Sequence, residues 1–146
     1  MTATLWLRIC AAISLLFAIG HSLGGLQNWS PVPDNAVLAA MTSVRFDMMG
    51  VNRSYLDLYV GLGWSASVAM LLQTVLLWQM ASLARTDAAQ VRPMIAAFLL
   101  ATVATGIVAW RFILPVPALF CVVLLLALAV SFWAAGRAPS AAPAPD

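Results

Sequence analysis

The chain has 146 residues, 64% of them hydrophobic and 8% charged, with a formal net charge of +2. Soluble domains carry about 25% charged residues, so this composition excludes an ordinary water-soluble globule and points to an integral membrane protein. The seven basic residues are all arginine and the acidic ones all aspartate, and none cluster, which excludes a nucleic-acid-binding surface.

A membrane-spanning helix needs about 20 largely apolar residues. Four segments meet this, at about 4–25, 54–83, 93–114 and 115–135. The first could be mistaken for a secretory signal. It is longer than a signal core, contains Arg8 and His21, and lacks a clear small-x-small cleavage site, so it reads as a retained helix. The connection over residues 27–53 is the one sizeable extramembrane piece. Its start, Asn28 to Pro33, reads as irregular, with Trp29 at interface depth. Asp34 is then a fitting N-cap for an amphipathic helix over 34–49, with Val37, Leu38, Met41, Val44 and Met48 on one face. Such a helix would lie on the membrane or cover the bundle, and Gly50 and Asn52 would end it.

The second segment runs long, which predicts tilt or projection beyond the bilayer. Only 84–92 separates it from the third, and a break at Pro115-Val116-Pro117 makes the third and fourth an antiparallel hairpin. The alanine–proline tail, 137–146, reads as disordered. Cys10 and Cys121 lie in apolar runs and read as buried free thiols. The expected fold is all-α: a polytopic four-helix membrane bundle forming a single domain over 1–136. Arg8, Arg85, Arg92 and Arg137 on one side outnumber Arg45, Arg53 and Arg111 on the other, which puts both termini in the cytoplasm of a cell with an inner membrane.

The polar residues fall in one leaflet once the helices alternate. His21 lies near the outer end of the first helix, Arg53, Asp57 and Tyr59 at the outer start of the second, and Trp110 and Arg111 at the outer end of the third. Each heads a stripe of small residues at three- and four-residue spacing: Ala18, Ser14 and Ala11 below His21; Gly61, Ser65 and Ala69 below Asp57; Ala104, Ala101 and Ala97 below Arg111. Small residues let membrane helices approach closely, so all three stripes are expected to face inward. Arg53 and Asp57 would form an i, i+4 pair, and His21 would find its partner across helices, most simply Asp57 or Tyr59. Each of these also has a plain structural reading, Arg111 as a snorkelling headgroup contact and His21 as a helix-to-helix hydrogen bond. Gln73 and Gln79 read as interhelical hydrogen-bonding residues.

The chemistry this set supports is narrow. His21, Asp47, Asp57 and a tyrosine do not follow any metal-ligand spacing, and no metal or other cofactor is expected. Ser22 or Ser54 beside His21 could serve as a nucleophile, but no nucleophile motif supports it. Phosphate-loop, dinucleotide and haem-attachment motifs are absent from the sequence. What remains is a ligand-binding mouth of His21, Asp47, Arg53, Asp57, Tyr59, Trp110 and Arg111. It suits an amphiphile, a lipid-like or quinone-like molecule whose tail lies between helices. Proton transfer on such a molecule, with His21 or Asp57 as acid or base, is the enzymatic alternative. A non-catalytic subunit or assembly factor, with a membrane partner or a second copy of the chain, is the third.

GHSLGGLQNW at 20–29, VRFDMMGVNRSYLDLYVGLG at 44–63, RTDAAQVRPMIA at 85–96 and AWRF at 109–112 resemble a family of small bacterial four-helix membrane proteins of uncharacterised function. The resemblance covers nearly the whole chain to about residue 135 and implies a fold without an activity. In size and layout the chain is also similar to DoxX-like and emopamil-binding-protein-like membrane proteins. The latter include sterol isomerases that use acidic residues with a histidine in a membrane cavity; this chain contains no glutamate.

Overall fold

A backbone in hydrocarbon must satisfy its own N–H and C=O groups, which leaves the helix as the form for a long apolar segment. The computed structural model describes residues 2–25, 30, 32 and 35–137. Among these, four helices are long and apolar enough to cross a membrane: Ala3–Gly24, Tyr55–Leu83, Arg92–Phe112 and Pro115–Gly136. Helix α1 is regular over Ala3–Gly20 and widens into a π-helical turn over His21–Gly25. The short α2 (Ala36–Ser43) is followed by strands β1 (Arg45–Met48) and β2 (Val51–Ser54) and then by α3 (Tyr55–Leu83), α4 (Arg92–Phe112) and α5 (Pro115–Gly136). At 1.5 Å per residue α3 is about 43 Å long, well beyond a hydrocarbon core of about 30 Å.

The connection between α1 and α3 differs from the expected helix over 34–49. Asn35, in extended conformation, is the N-cap of α2, its side chain accepting from the Leu38 N–H at 2.8 Å, and the helix stops at Ser43. Asp34 and Trp29 lie outside the described residues, as does the tail from 138. Beyond Val44 the chain forms an antiparallel hairpin, pairing Arg45 with Ser54, Phe46 with Arg53, Asp47 with Asn52 and Met48 with Val51. Met49 and Gly50 both have positive φ, +52° and +79°. Two such residues in a row form the tight turn whose twist matches that of paired strands. Gly50 therefore turns a strand pair rather than ending a helix. Of the residues expected on one apolar face, Leu38 and Met41 are half-buried while Val37, Val44 and Met48 are exposed.

The chain divides into two compact units, Met1–Leu15 with Leu72–Asp146, and Leu16–Leu71. In the first, Leu7, Cys10, Leu77, Ile95 and Leu128 are fully buried at the centre of one apolar cluster. Polar contacts inside it are few and specific. Gln73 donates to Ser14 at 3.2 Å, and the Cys10 thiol lies 3.8 Å from the Ser131 hydroxyl, which itself donates to the Ala127 carbonyl at 2.9 Å. Both cysteines are buried free thiols. Helices α4 and α5 pack closest. The chain reverses at Ile113–Leu114, and the prolines at 115 and 117 sit in the first turn of α5, where the missing N–H is not needed. The break thus lies two residues earlier than the proline run suggested. Asp87 accepts from the N–H groups of Ala89 and Gln90, at 3.0 and 3.1 Å, and so tightens the α3–α4 link.

At one end of this unit, arginines lie over aromatic rings. Arg8 is 5.2 Å from the Trp78 ring centre, Arg92 4.5 Å from Phe132 and Arg137 3.5 Å from Trp133. Cation–π contacts of this kind favour guanidinium and aromatic groups at headgroup depth, where one side of each is wet.

Candidate functional site

In the unit Leu16–Leu71, the two helices meet through hydroxyls and an imidazole. Ser67 lies on the buried face of α3, 2% exposed, one turn beyond Gly63. His21 Nδ1 is 3.1 Å from the Ser67 Oγ, and the Ser22 hydroxyl is 2.9 Å from that same oxygen and 2.8 Å from the Ala18 carbonyl. Adjacent residues on a regular helix point about 100° apart. The wider π-helical turn that begins at His21 brings both side chains onto the Ser67 hydroxyl, and turns of this kind recur at functional sites.

The Ser67 hydroxyl has one hydrogen and two neighbouring acceptors, His21 Nδ1 at 3.1 Å and the Gly63 carbonyl at 3.4 Å. Donation to Nδ1, the nearer of the two, defines one of the two neutral tautomers open to this ring; in the other, Nδ1–H donates to the Ser67 oxygen. A neutral imidazole with Nδ1 accepting carries its proton on Nε2. Among the described residues no hydrogen bond reaches Nε2, and the ring is half-buried. His21 therefore presents its Nε2 edge, held at Nδ1 by Ser67, whose oxygen also accepts from Ser22.

The expected partner of His21 was an acid or a tyrosine, and the structure provides Ser67 instead. The reason is helical phase. Asp57, Gly61, Ser65 and Ala69 are exposed, while Ser67 and the half-buried Val60, Gly63 and Met70 form the covered face of α3. Arg53 lies in β2, not on the helix, so it forms no i, i+4 pair with Asp57; its guanidinium donates to the Asn52 carbonyl at 3.0 Å. Asp57 serves the start of α3. Its carboxylate accepts from the Ser54 N–H at 2.8 Å while its own N–H donates to the Ser54 hydroxyl at 3.1 Å, and Arg45 approaches it at 3.9 Å. That reciprocal pair is a capping box. Asp47 is likewise engaged locally, accepting from the Asn52 side chain at 2.7 Å, while Asn52 accepts from Arg45. Phe46 and Tyr55 stack at 5.2 Å beside them, and Tyr59 is 43% exposed.

Trp110 and Arg111 belong to the other unit. The stripe below Arg111 does not face inward: Ala97, Ala101, Ala104 and Val108 are exposed, and α4 buries Ile95, Thr102 and Ala109 instead. Among the described residues, no three His, Cys, Asp or Glu side chains converge as metal ligands would. Ser67 was the residue that sequence reasoning passed over as the partner of His21. The available signal was Ser67's seven-residue spacing from Val60 and four-residue spacing from Gly63, a phase that only a known buried face selects.

Comparison with protein-family models, with curated proteins and with solved structures returns no match for this chain.

Proposed function

We propose that this is a multi-pass protein of a bacterial inner membrane, a four-helix bundle with both termini cytoplasmic, that binds a small amphiphilic or lipid-like molecule through its polar head at His21. The observation that carries this reading is the imidazole within the Ala3–Gly24 span, fixed at Nδ1 by Ser67 and open at Nε2 among the described residues. Ionisable groups within membrane segments are costly and rare, and mark binding or proton-transfer sites by default. In the tautomer with Ser67 donating to Nδ1, the neutral Nε2–H suits an acceptor oxygen, such as the carbonyl of a quinone-like or ester-bearing head. The basic end formed by Arg8, Arg92 and Arg137 supports cytoplasmic termini, and in that orientation His21, at the far end of α1, would lie in the outer leaflet.

The test is parallel purification of wild-type and His21→Ala protein in mild detergent, followed by mass spectrometry of the extracted small molecules. An amphiphile with an oxygen-acceptor head should co-purify with wild type and be depleted in the variant at equal folded yield. Identical extracts would overturn the reading. Proton transfer is favoured as a second reading by one specific feature, the unbroken Ser22–Ser67–His21 series, through which a proton could be exchanged along consecutive hydrogen bonds. In that case Ser67→Ala should keep the co-purifying molecule and lose its conversion.

A further inference from the structure

The unit Met1–Leu15 with Leu72–Asp146 contains a groove of about 460 Å³ between α4 and α5. Its size lies within the range of roughly 300–1,000 Å³ typical of small-molecule sites. Its floor is made of small or buried side chains, Thr102, Gly106, Ala118 and Cys121, and its walls of exposed branched ones, Ile107 and Val122 among them. The floor is low because the helices touch there. A Cβ added at Gly106 would lie 3.2 Å from the Cys121 Cβ. Trp110 and Arg111 close one end of the groove.

Length and charge together select an occupant. From Thr102 to Arg111 is nine residues, about 13 Å along a helix axis, close to the hydrocarbon depth of one leaflet, about 15 Å as half of a 30 Å core. Arg111 lies in the last turn of α4, whose 21 residues span about 31 Å, so a membrane-spanning α4 presents this guanidinium at headgroup depth. It is the one charged side chain from Pro93 to Gly136. Guanidinium groups pair with phosphate through two parallel hydrogen bonds, and the indole of Trp110 belongs at the same interface.

We propose that the α4–α5 groove is a binding site for an anionic phospholipid, with one acyl chain lying along Gly106 and Cys121 and the phosphate held by Arg111. The site is independent of the His21 reading, whose residues lie in the other unit, and either can fail alone.

Native mass spectrometry tests it, with the full chain in non-ionic detergent titrated with phosphatidylglycerol or with phosphatidylcholine of the same acyl chains. Wild type should retain phosphatidylglycerol about tenfold more tightly, because phosphatidylcholine has the same phosphate but carries a choline cation that offsets its attraction for Arg111. Arg111→Gln should bind both lipids equally, and Arg111→Lys should keep part of the preference, since lysine supplies charge without the fork. Ile107→Trp, at a position that is 64% exposed, should fill the groove and weaken binding of both lipids without disturbing the core. Equal binding of the two lipids by wild type overturns the assignment. So does a preference that survives Arg111→Gln, or a stable dimer that Ile107→Trp dissociates, which would make the groove a contact between copies.

Discussion

Ser67→Ala is the sharpest test of how His21 is held. The substitution removes the one oxygen that meets both His21 Nδ1, at 3.1 Å, and the Ser22 hydroxyl, at 2.9 Å. Interhelical hydrogen bonds in membranes average about 0.6 kcal/mol, with a maximum near 1.7, so two of them suggest a loss of about 1–2 kcal/mol. The lower half of that range is expected, because Ser22 can still donate to the Ala18 carbonyl at 2.8 Å while Nδ1 has no alternative donor among the described residues. Ser65→Ala is a matched control. It is two residues away on the exposed face of the same helix and donates to the Gly61 carbonyl at 2.9 Å, so its removal should fall within about 0.5 kcal/mol. Denaturation in mixed micelles, followed by the circular dichroism of the helices, would give both values. The ¹⁵N shifts of the His21 ring would report its tautomer directly. Wild type should show the proton on Nε2, and Ser67→Ala should shift the population toward the other tautomer. Equal destabilisation by the two substitutions, with unchanged ring shifts, would refute the argument that Ser67 orders the imidazole.

Two further outcomes follow from the segment before α3. Ser54→Ala should destabilise the start of that helix by about 1 kcal/mol, as loss of a serine N-cap does, seen as faster amide exchange at residues 55–58; Asp57→Asn should have a smaller effect, because the amide oxygen can still accept from the Ser54 N–H. In the hairpin, Met49 holds a left-handed conformation without the freedom of glycine, at a cost of about 1–2 kcal/mol. Met49→Gly should therefore slow exchange of the β1–β2 amides, and Gly50→Val should accelerate it; opposite signs would mean that this turn does not limit the hairpin.

The positions of the four long helices were legible in the sequence because a bilayer imposes a length and a composition that few other structures meet. The prolines at 115 and 117 marked the α4–α5 reversal to within two residues, and the shortness of the 84–92 link followed from its flanking apolar runs. The first connection was misread beyond Ser43. Met48-Met49-Gly50-Val51 is equally compatible with a helix end and a two-residue turn, and cross-strand pairing with residues 51–54 decided between them. Facing was also undetermined. In a segment apolar all round, small residues at four-residue spacing occur on more than one side, so spacing alone could not tell the Asp57 stripe from the Ser67 face.

The sequence by itself therefore determined that this is a helical chain with four segments long and apolar enough to cross a membrane, and where those helices lie. Only the tertiary structure decided that the imidazole is held by Ser67 rather than by an acid, and that Asp57 and Asp47 are taken up in a capping box and a hairpin. It also placed Arg111 at the end of an apolar groove instead of in a core. The physical reason is that hydrophobicity fixes which segments enter the bilayer, whereas helical phase, the π-helical turn and strand register fix which side chains meet, and those depend on neighbours that a linear pattern does not contain.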